Sequence, residues 1–175
     1  MLEENAIQVD IEFGNGKKHS QQLVQDGTLT NPNWLGVSDV NNDGQDDLFV
    51  TGLSGGTAIL IWHFEYRDGK FRSLRGMGDD YWFNHGTLGN STGITCQERN
   101  NQAELVFVTL NSEWDSSTKK ELYTGKKTVY RANGEGEFRK ASEEDLTYPR
   151  SSGGWPSELA QYEGLNCPGL AYPEW

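Results

Sequence analysis

The segment VSDVNNDGQDDLFV (Val37 to Val50) has a counterpart 57 residues further on, ITCQERNNQAELVFV (Ile94 to Val108). Laid over each other without a gap, they pair Val37 with Ile94, Ser38 with Thr95, Asp47 with Glu104, Leu48 with Leu105 and Phe49 with Val106. Each copy then runs into a hairpin, ending in DGKF around Phe71 and in GEGEF around Phe138. A repeat decides architecture before local propensity does, because every unit must bury the same face against a neighbour. A chain of 175 residues therefore reads as a single domain, 1–175, of two similar β units on a shared core, too short for a large multidomain enzyme. The first unit spans 32–75, the second 90–141, and a tail follows over 142–175. The second copy needs an insertion near NSEWDSSTKKE (Asn111 to Glu121), which reads as a polar loop.

Strand patterns dominate the rest. AIQVDIEF (Ala6 to Phe13) alternates apolar and polar residues, and Asn15-Gly16 after it is a hairpin turn into QQLV. TAILIWHFEY puts Ala58, Leu60, Trp62, Phe64 and Tyr66 on one face and Ile59, Ile61, His63 and Glu65 on the other, the period of a strand. Asp68-Gly69 turns it back. AELVFVTL (Ala103 to Leu110) is apolar on both faces, as suits a central strand covered above and below. Pro156 opens the one convincing helix, two turns over PSELAQYE that stop at Gly164, and the tail is otherwise coil.

DVNNDGQDD (Asp39 to Asp47) is the run that carries chemistry. Oxygen-bearing side chains stand at loop positions 1, 3, 5 and 9 (Asp39, Asn41, Asp43, Asp47), with Gly44 where the chain turns sharply. Alternate residues of a tight loop point inward, and the backbone carbonyl of Gln45 supplies a further oxygen. These are hard donors in a flexible loop, which select Ca2+ over Mg2+ and over zinc. An Asx-rich turn without metal is the alternative, but three converging carboxylates repel one another unless a cation joins them. The loop is not an EF-hand: Val50 stands where that motif needs a bidentate Glu, and a strand follows it.

This pattern, D-x-[DN]-x-D-G-x-x-D running straight into Leu-apolar-Val, resembles the calcium loop of FG-GAP and VCBS-type β-propeller blades, as in integrin α-subunits and many bacterial surface proteins. The resemblance is good from Val37 to about Phe71 and weak from Ile94 to Phe138. GLNCPGLAYPEW and the GITC strand are also similar to features of small secreted proteins of Gram-positive bacteria that carry such repeats. The resemblance implies metal ligation by Asp39, Asn41, Asp43, Gln45 through its carbonyl, and Asp47. The second copy departs from it: Cys96 replaces the first carboxylate, no Gly follows Asn100, and only Glu98, Asn100 and Glu104 remain in register. No second calcium is expected. Propellers need four to eight blades, so two blade-like sheets form an incomplete propeller or a packed pair.

The chain carries 26 acidic against 15 basic residues, a formal net charge of −11, which repels phosphate backbones and anionic membrane surfaces. Nucleic acid is not an expected partner, and no stretch is long and apolar enough for a membrane span. MLEENAIQVD lacks the basic and apolar regions of a signal peptide, leaving a cytosolic protein or an exported one whose leader is gone. Cys96 and Cys167, far apart and without CxxC spacing, favour export: one disulfide is their simplest use, worth on the order of 4 kcal/mol before strain. Two buried free thiols are the alternative. With a disulfide, Cys96 ties the degenerate loop to Cys167 where the first copy has a metal.

Other candidates are weaker. His19, His63 and His85 show no metal or nucleophile spacing, and His63 reads as a core or edge histidine. His85 lies near Asp79 and Asp80 in GMGDDYWFNHGTLGNSTG, a segment read as a polar connection anchored by Tyr81, Trp82 and Phe83. Asn90-Ser91-Thr92 matches a glycosylation acceptor, and Gly52 to Gly56 reads as a plain turn. Trp34, Trp114, Trp155 and Trp175 in loop-like or terminal segments either plug sheet ends or stack on sugars or a protein.

The expectation is thus an all-β protein of two blade-like antiparallel sheets with a short C-terminal helix and coil tail. Its expected role is that of a secreted or cell-surface calcium-stabilised module in non-catalytic binding or scaffolding of a protein or glycan. A hydrolase or a carbohydrate-binding accessory module acting on cell-wall or glycan material is the alternative.

Overall fold

The computed structural model describes residues 6–24, 33–55, 58–74, 76, 81–84, 90–150 and 155–171. β1 (Ala6–Glu12) turns at Asn15 and Gly16 into β2 (Lys18–Val24). Gly16, at φ +78°, donates its N–H to the Phe13 carbonyl at 2.8 Å and closes that turn, a conformation an ordinary side chain resists. The first repeat is an antiparallel meander of β3 (Trp34–Ser38), β4 (Asp47–Gly55), β5 (Ala58–Arg67) and β6 (Lys70–Ser73), with β7 (Tyr81–Asn84) also paired to β5. The second repeats that order with β8 (Asn90–Arg99), β9 (Gln102–Asp115), β10 (Lys120–Ala132) and β11 (Phe138–Pro149). β12 (Leu165–Asn166) adds parallel to β8. The protein is all-β, and its sheets do not close into a barrel.

Strand alternation sorts the side chains into three packing layers. Leu48, Val50, Trp62 and Phe64 lie under Val9 and Leu23 of the β1–β2 hairpin. On the other face of the same sheet, Leu35, Phe49 and Ile61 meet Ile94, Leu105, Phe107 and Phe138 of the second sheet. The far side of that sheet, Val106, Val108 and Leu110, is covered by Leu159 and Tyr162. β9 is therefore buried on both faces, as its apolar run requires.

Equivalent positions do not face each other. Phe49 packs toward the second sheet, while its repeat partner Val106 packs away from the first. The sheets are stacked front to back, unlike the two halves of a sandwich whose inner faces interdigitate. This arrangement leaves one apolar face bare at each end, and the N-terminal hairpin and the C-terminal segment cover them as caps do in repeat proteins.

Several expected boundaries shift. The short helix expected after Pro156 is present over Ser157–Tyr162, as two turns of 3₁₀ geometry. In 3₁₀ geometry residues three apart eclipse, which lays Leu159 and Tyr162 side by side on the second sheet. The tail is not coil from 142, because β11 continues to Pro149 opposite a thirteen-residue β10, and β12 pairs with β8. Asn111 to Glu121 is mostly strand, with a short turn whose Asp115 carboxylate accepts the Ser117 N–H at 2.9 Å and the Thr118 hydroxyl at 2.6 Å. Tyr81 to Phe83 belong to β7, and Gly52 to Gly55 to β4.

Cys96 and Cys167 are disulfide-bonded, 71 residues apart in sequence, so the free-thiol alternative falls. Beyond Cys167 the chain crosses to the first sheet: Leu170 bridges to Gly36, and the Ala171 N–H donates to the Leu35 carbonyl at 2.9 Å. Gly36 and Gly169 meet backbone to backbone here. A Cβ on Gly36 would strike the Gly169 carbonyl, and one on Gly169 would strike that of Val37. This strap is stapled to one sheet and hydrogen-bonded to the other.

Candidate metal centre

The loop joining β3 to β4 folds its acidic side chains over its own backbone. Asn42 at φ +57° and Gly44 at φ +85° turn the chain. The Asp43 N–H is then shared between Asp39 Oδ1 at 3.0 Å and Asn41 Oδ1 at 3.1 Å, and the Gly44 N–H donates to Asp39 Oδ2 at 2.9 Å. The Gln45 N–H donates to Asp43 Oδ1 at 2.9 Å, and at the loop base the Val40 N–H donates to Asp47 Oδ2 at 3.2 Å. Asn41 and Asp47 are buried, Asp39 is half-buried, and Asp43 and Gln45 are exposed. Each ionised carboxylate oxygen keeps a lone pair beyond the N–H it accepts, so these bonds preposition oxygens and leave them able to ligate. Among the described residues no three His, Cys, Asp or Glu side chains are gathered as ready-made metal ligands.

The charge of the site is concentrated behind the loop. One step along the register from the Leu48–Phe64 pair, Glu65 comes opposite Asp47, and both are 1% exposed. Burial, together with the charges of Asp43, Asp39 and Glu65, pushes the Asp47 carboxyl up to about 8, against the opposing effect of the Val40 N–H. Arg67 Nε reaches Glu65 at 3.2 Å from a partly exposed position. The acidic excess remains, and a multivalent cation fits this donor set.

The second repeat resolves the same position differently. Glu104 is as buried as Asp47, but the residue opposite it is Arg131, whose Nε donates to its carboxylate at 3.0 Å, and Gln97 donates at 2.8 Å. Burial raises the Glu104 carboxyl, and these donors outweigh that and hold it below its ordinary value. Asn100 and Asn101, at φ +54° and +60°, form a two-residue turn between Arg99 and Gln102, too tight to wrap an ion. Glu98 and Asn100 are exposed and Glu104 is buried with Arg131, so the three leftover oxygen residues do not form a loop site. Neither Glu65 nor Arg131 is visible from the loop motif, although aligning the two hairpins places them at one position. Gly136, in the β10–β11 turn, seats against the first loop: a Cβ there would lie within 3.0 to 3.2 Å of Asn41 and Asp43.

The other candidates separate clearly. His63 is buried in the core beside Phe49, ring centres 6.2 Å apart, and His19 packs on Tyr66 at 5.2 Å. Asp79, Asp80, His85 and Trp175 lie outside the described residues. Asn90 begins β8. Trp155 plugs the second sheet, with Nε1 donating to the Leu159 carbonyl at 2.7 Å. Trp34 and Trp114 plug nothing: they stand 57% and 64% exposed on β3 and β9. No helix among the described residues is long and apolar enough to cross a membrane.

Comparison with protein families, with curated proteins and with solved structures gave no match.

Proposed function

We propose that the chain is a calcium-stabilised β module of the extracellular or cell-surface environment, acting in binding or scaffolding and not in catalysis. One observation carries this reading: two buried acids, Asp47 and Glu65, stand opposite each other behind Asp39 and Asp43, at the place where the second repeat has Glu104 and Arg131. Arg67, 3.2 Å from Glu65, offsets one of these charges, and the remaining acids Asp39, Asp43 and Asp47 are costly together unless a cation neutralises them. Asp39, Asn41, Asp43, the Gln45 carbonyl and Asp47 would hold Ca2+, which supplies positive charge to the loop and fastens β3 to β4. The kinship with FG-GAP and VCBS-type blades rests on the loop pattern from Asp39 to Asp47 running straight into β4. The disulfide supports an oxidising compartment, where free calcium is plentiful. Native mass spectrometry under oxidising conditions tests the proposal. A single calcium adduct on the oxidised chain, lost in Asp47→Asn, supports it; a metal-free mass in millimolar calcium refutes it.

A further inference from the structure

The bulge in β3 sets two apolar side chains on the open side of the first sheet. Opposite β4 the pairing steps from Trp34–Val50 to Gly36–Phe49, so Leu35 and Gly36 share one partner. Leu35 enters the inter-sheet core, and Trp34 and Val37 both fall on the hairpin side although they are three residues apart. The β1–β2 hairpin does not reach over them. Trp34 is 57% and Val37 36% exposed, beside a cleft of about 530 Å³ that Phe13 and Tyr66, 4.8 Å apart, also line. Among the described residues, the acids at this cleft are Asp10, Glu12 and Asp46, and no Lys, Arg or His lines it.

We propose that this cleft docks a basic segment of a partner polypeptide, its lysine or arginine stems lying on Trp34 and Tyr66 and their charged ends among Asp10, Glu12 and Asp46. Aromatic faces attract cations, and long basic side chains bury an apolar stem while holding the charge at the rim. A chain of net charge −11 draws such a segment in from a distance. Lys18 bridges Glu12 at 3.3 Å, but both side chains are largely exposed, so the pair yields readily to a competing cation. This names a partner class for the binding role proposed above and rests on that reading, and Gly44, Gln45 and Asp46 of the β3–β4 loop form part of the cleft wall.

Calorimetric titration with three decapeptides of alternating serine and Lys, Gln or Glu tests it, with a neutral oligosaccharide as a fourth probe. The Lys peptide alone is expected to bind. Trp34→Ala should weaken it about five- to tenfold, Asp10→Asn with Glu12→Gln should abolish it, and Trp114→Ala, at a second exposed tryptophan, should leave it unchanged. Lys-peptide binding that Trp34→Ala does not weaken would show diffuse attraction to an acidic protein and overturn the proposal. Binding of the oligosaccharide in place of the peptide would overturn it equally. Each titration is repeated in calcium and in chelator beside a melting curve, so a silent cleft on a calcium-responsive protein refutes the docking site alone.

Discussion

Arg131 stands opposite Glu104 at the position where the first repeat sets Glu65 opposite Asp47. The second sheet thus neutralises its buried acid from within. Removing that neutraliser, in Arg131→Gln, leaves Glu104 buried with only Gln97, and should cost on the order of 2 kcal/mol in urea unfolding. The converse change, Glu65→Arg, should install the second repeat's solution in the first. We expect its melting temperature to become indifferent to calcium, as differential scanning fluorimetry would read.

The same two acids give opposite pH dependences in separate windows. Glu104 is held below its ordinary value when folded, so its contribution is present above about 4.5 and is lost as pH falls through the folded value. Asp47 without an ion is raised from 3.8 to about 8, so its contribution is present below 3.8 and lost as pH rises toward 8. In chelator, stability should therefore decline from about pH 4 to 8. Calcium should flatten that limb and leave the acid limb in place, and Arg131→Gln should flatten the acid limb, all measurable by urea titration across pH.

The strap predicts what the disulfide does locally as well as globally. Replacing both Cys96 and Cys167 by Ser should cost about 4 kcal/mol at most, the chain-entropy value for a closed loop of 71 residues. Because the strap reaches β3, hydrogen exchange at the Ala171 amide, which donates to the Leu35 carbonyl, should accelerate more than at β10 amides.

Gly136 links the two repeats at the β3–β4 loop. Gly136→Ala forces an unfavourable φ of +75° and presses on Asn41 and Asp43, so it should lower stability by about 1–2 kcal/mol and weaken calcium binding. Gly134→Ala, in the same turn but with open space around it, should do neither. Calorimetric titration of the pair with calcium separates them.

Much of this was legible in sequence because it rests on local pattern. Alternation over 61–67, two-faced burial of β9 and the turn at Asp68-Gly69 follow from residue order alone. The cysteine pairing followed from count. What sequence hid was long-range: the exchange of Glu65 for Arg131 lies past the insertion, which breaks the fixed repeat offset, and becomes visible only when strands are paired. Trp34 gained its exposure from a bulge whose one sequence signal is the isolated Gly36, held at φ +139°. The caps at both ends followed from the stacking sense of the sheets, which neither repeat encodes by itself.

Thermal unfolding in free calcium against chelator tests the central claim most directly. A site of about 0.1 mM affinity at roughly 1 mM ion adds about 1.4 kcal/mol, or about 3–6 °C in a domain of this size. The account predicts that rise in the native chain and its loss in Asp47→Asn. Superimposable curves with and without calcium would contradict it.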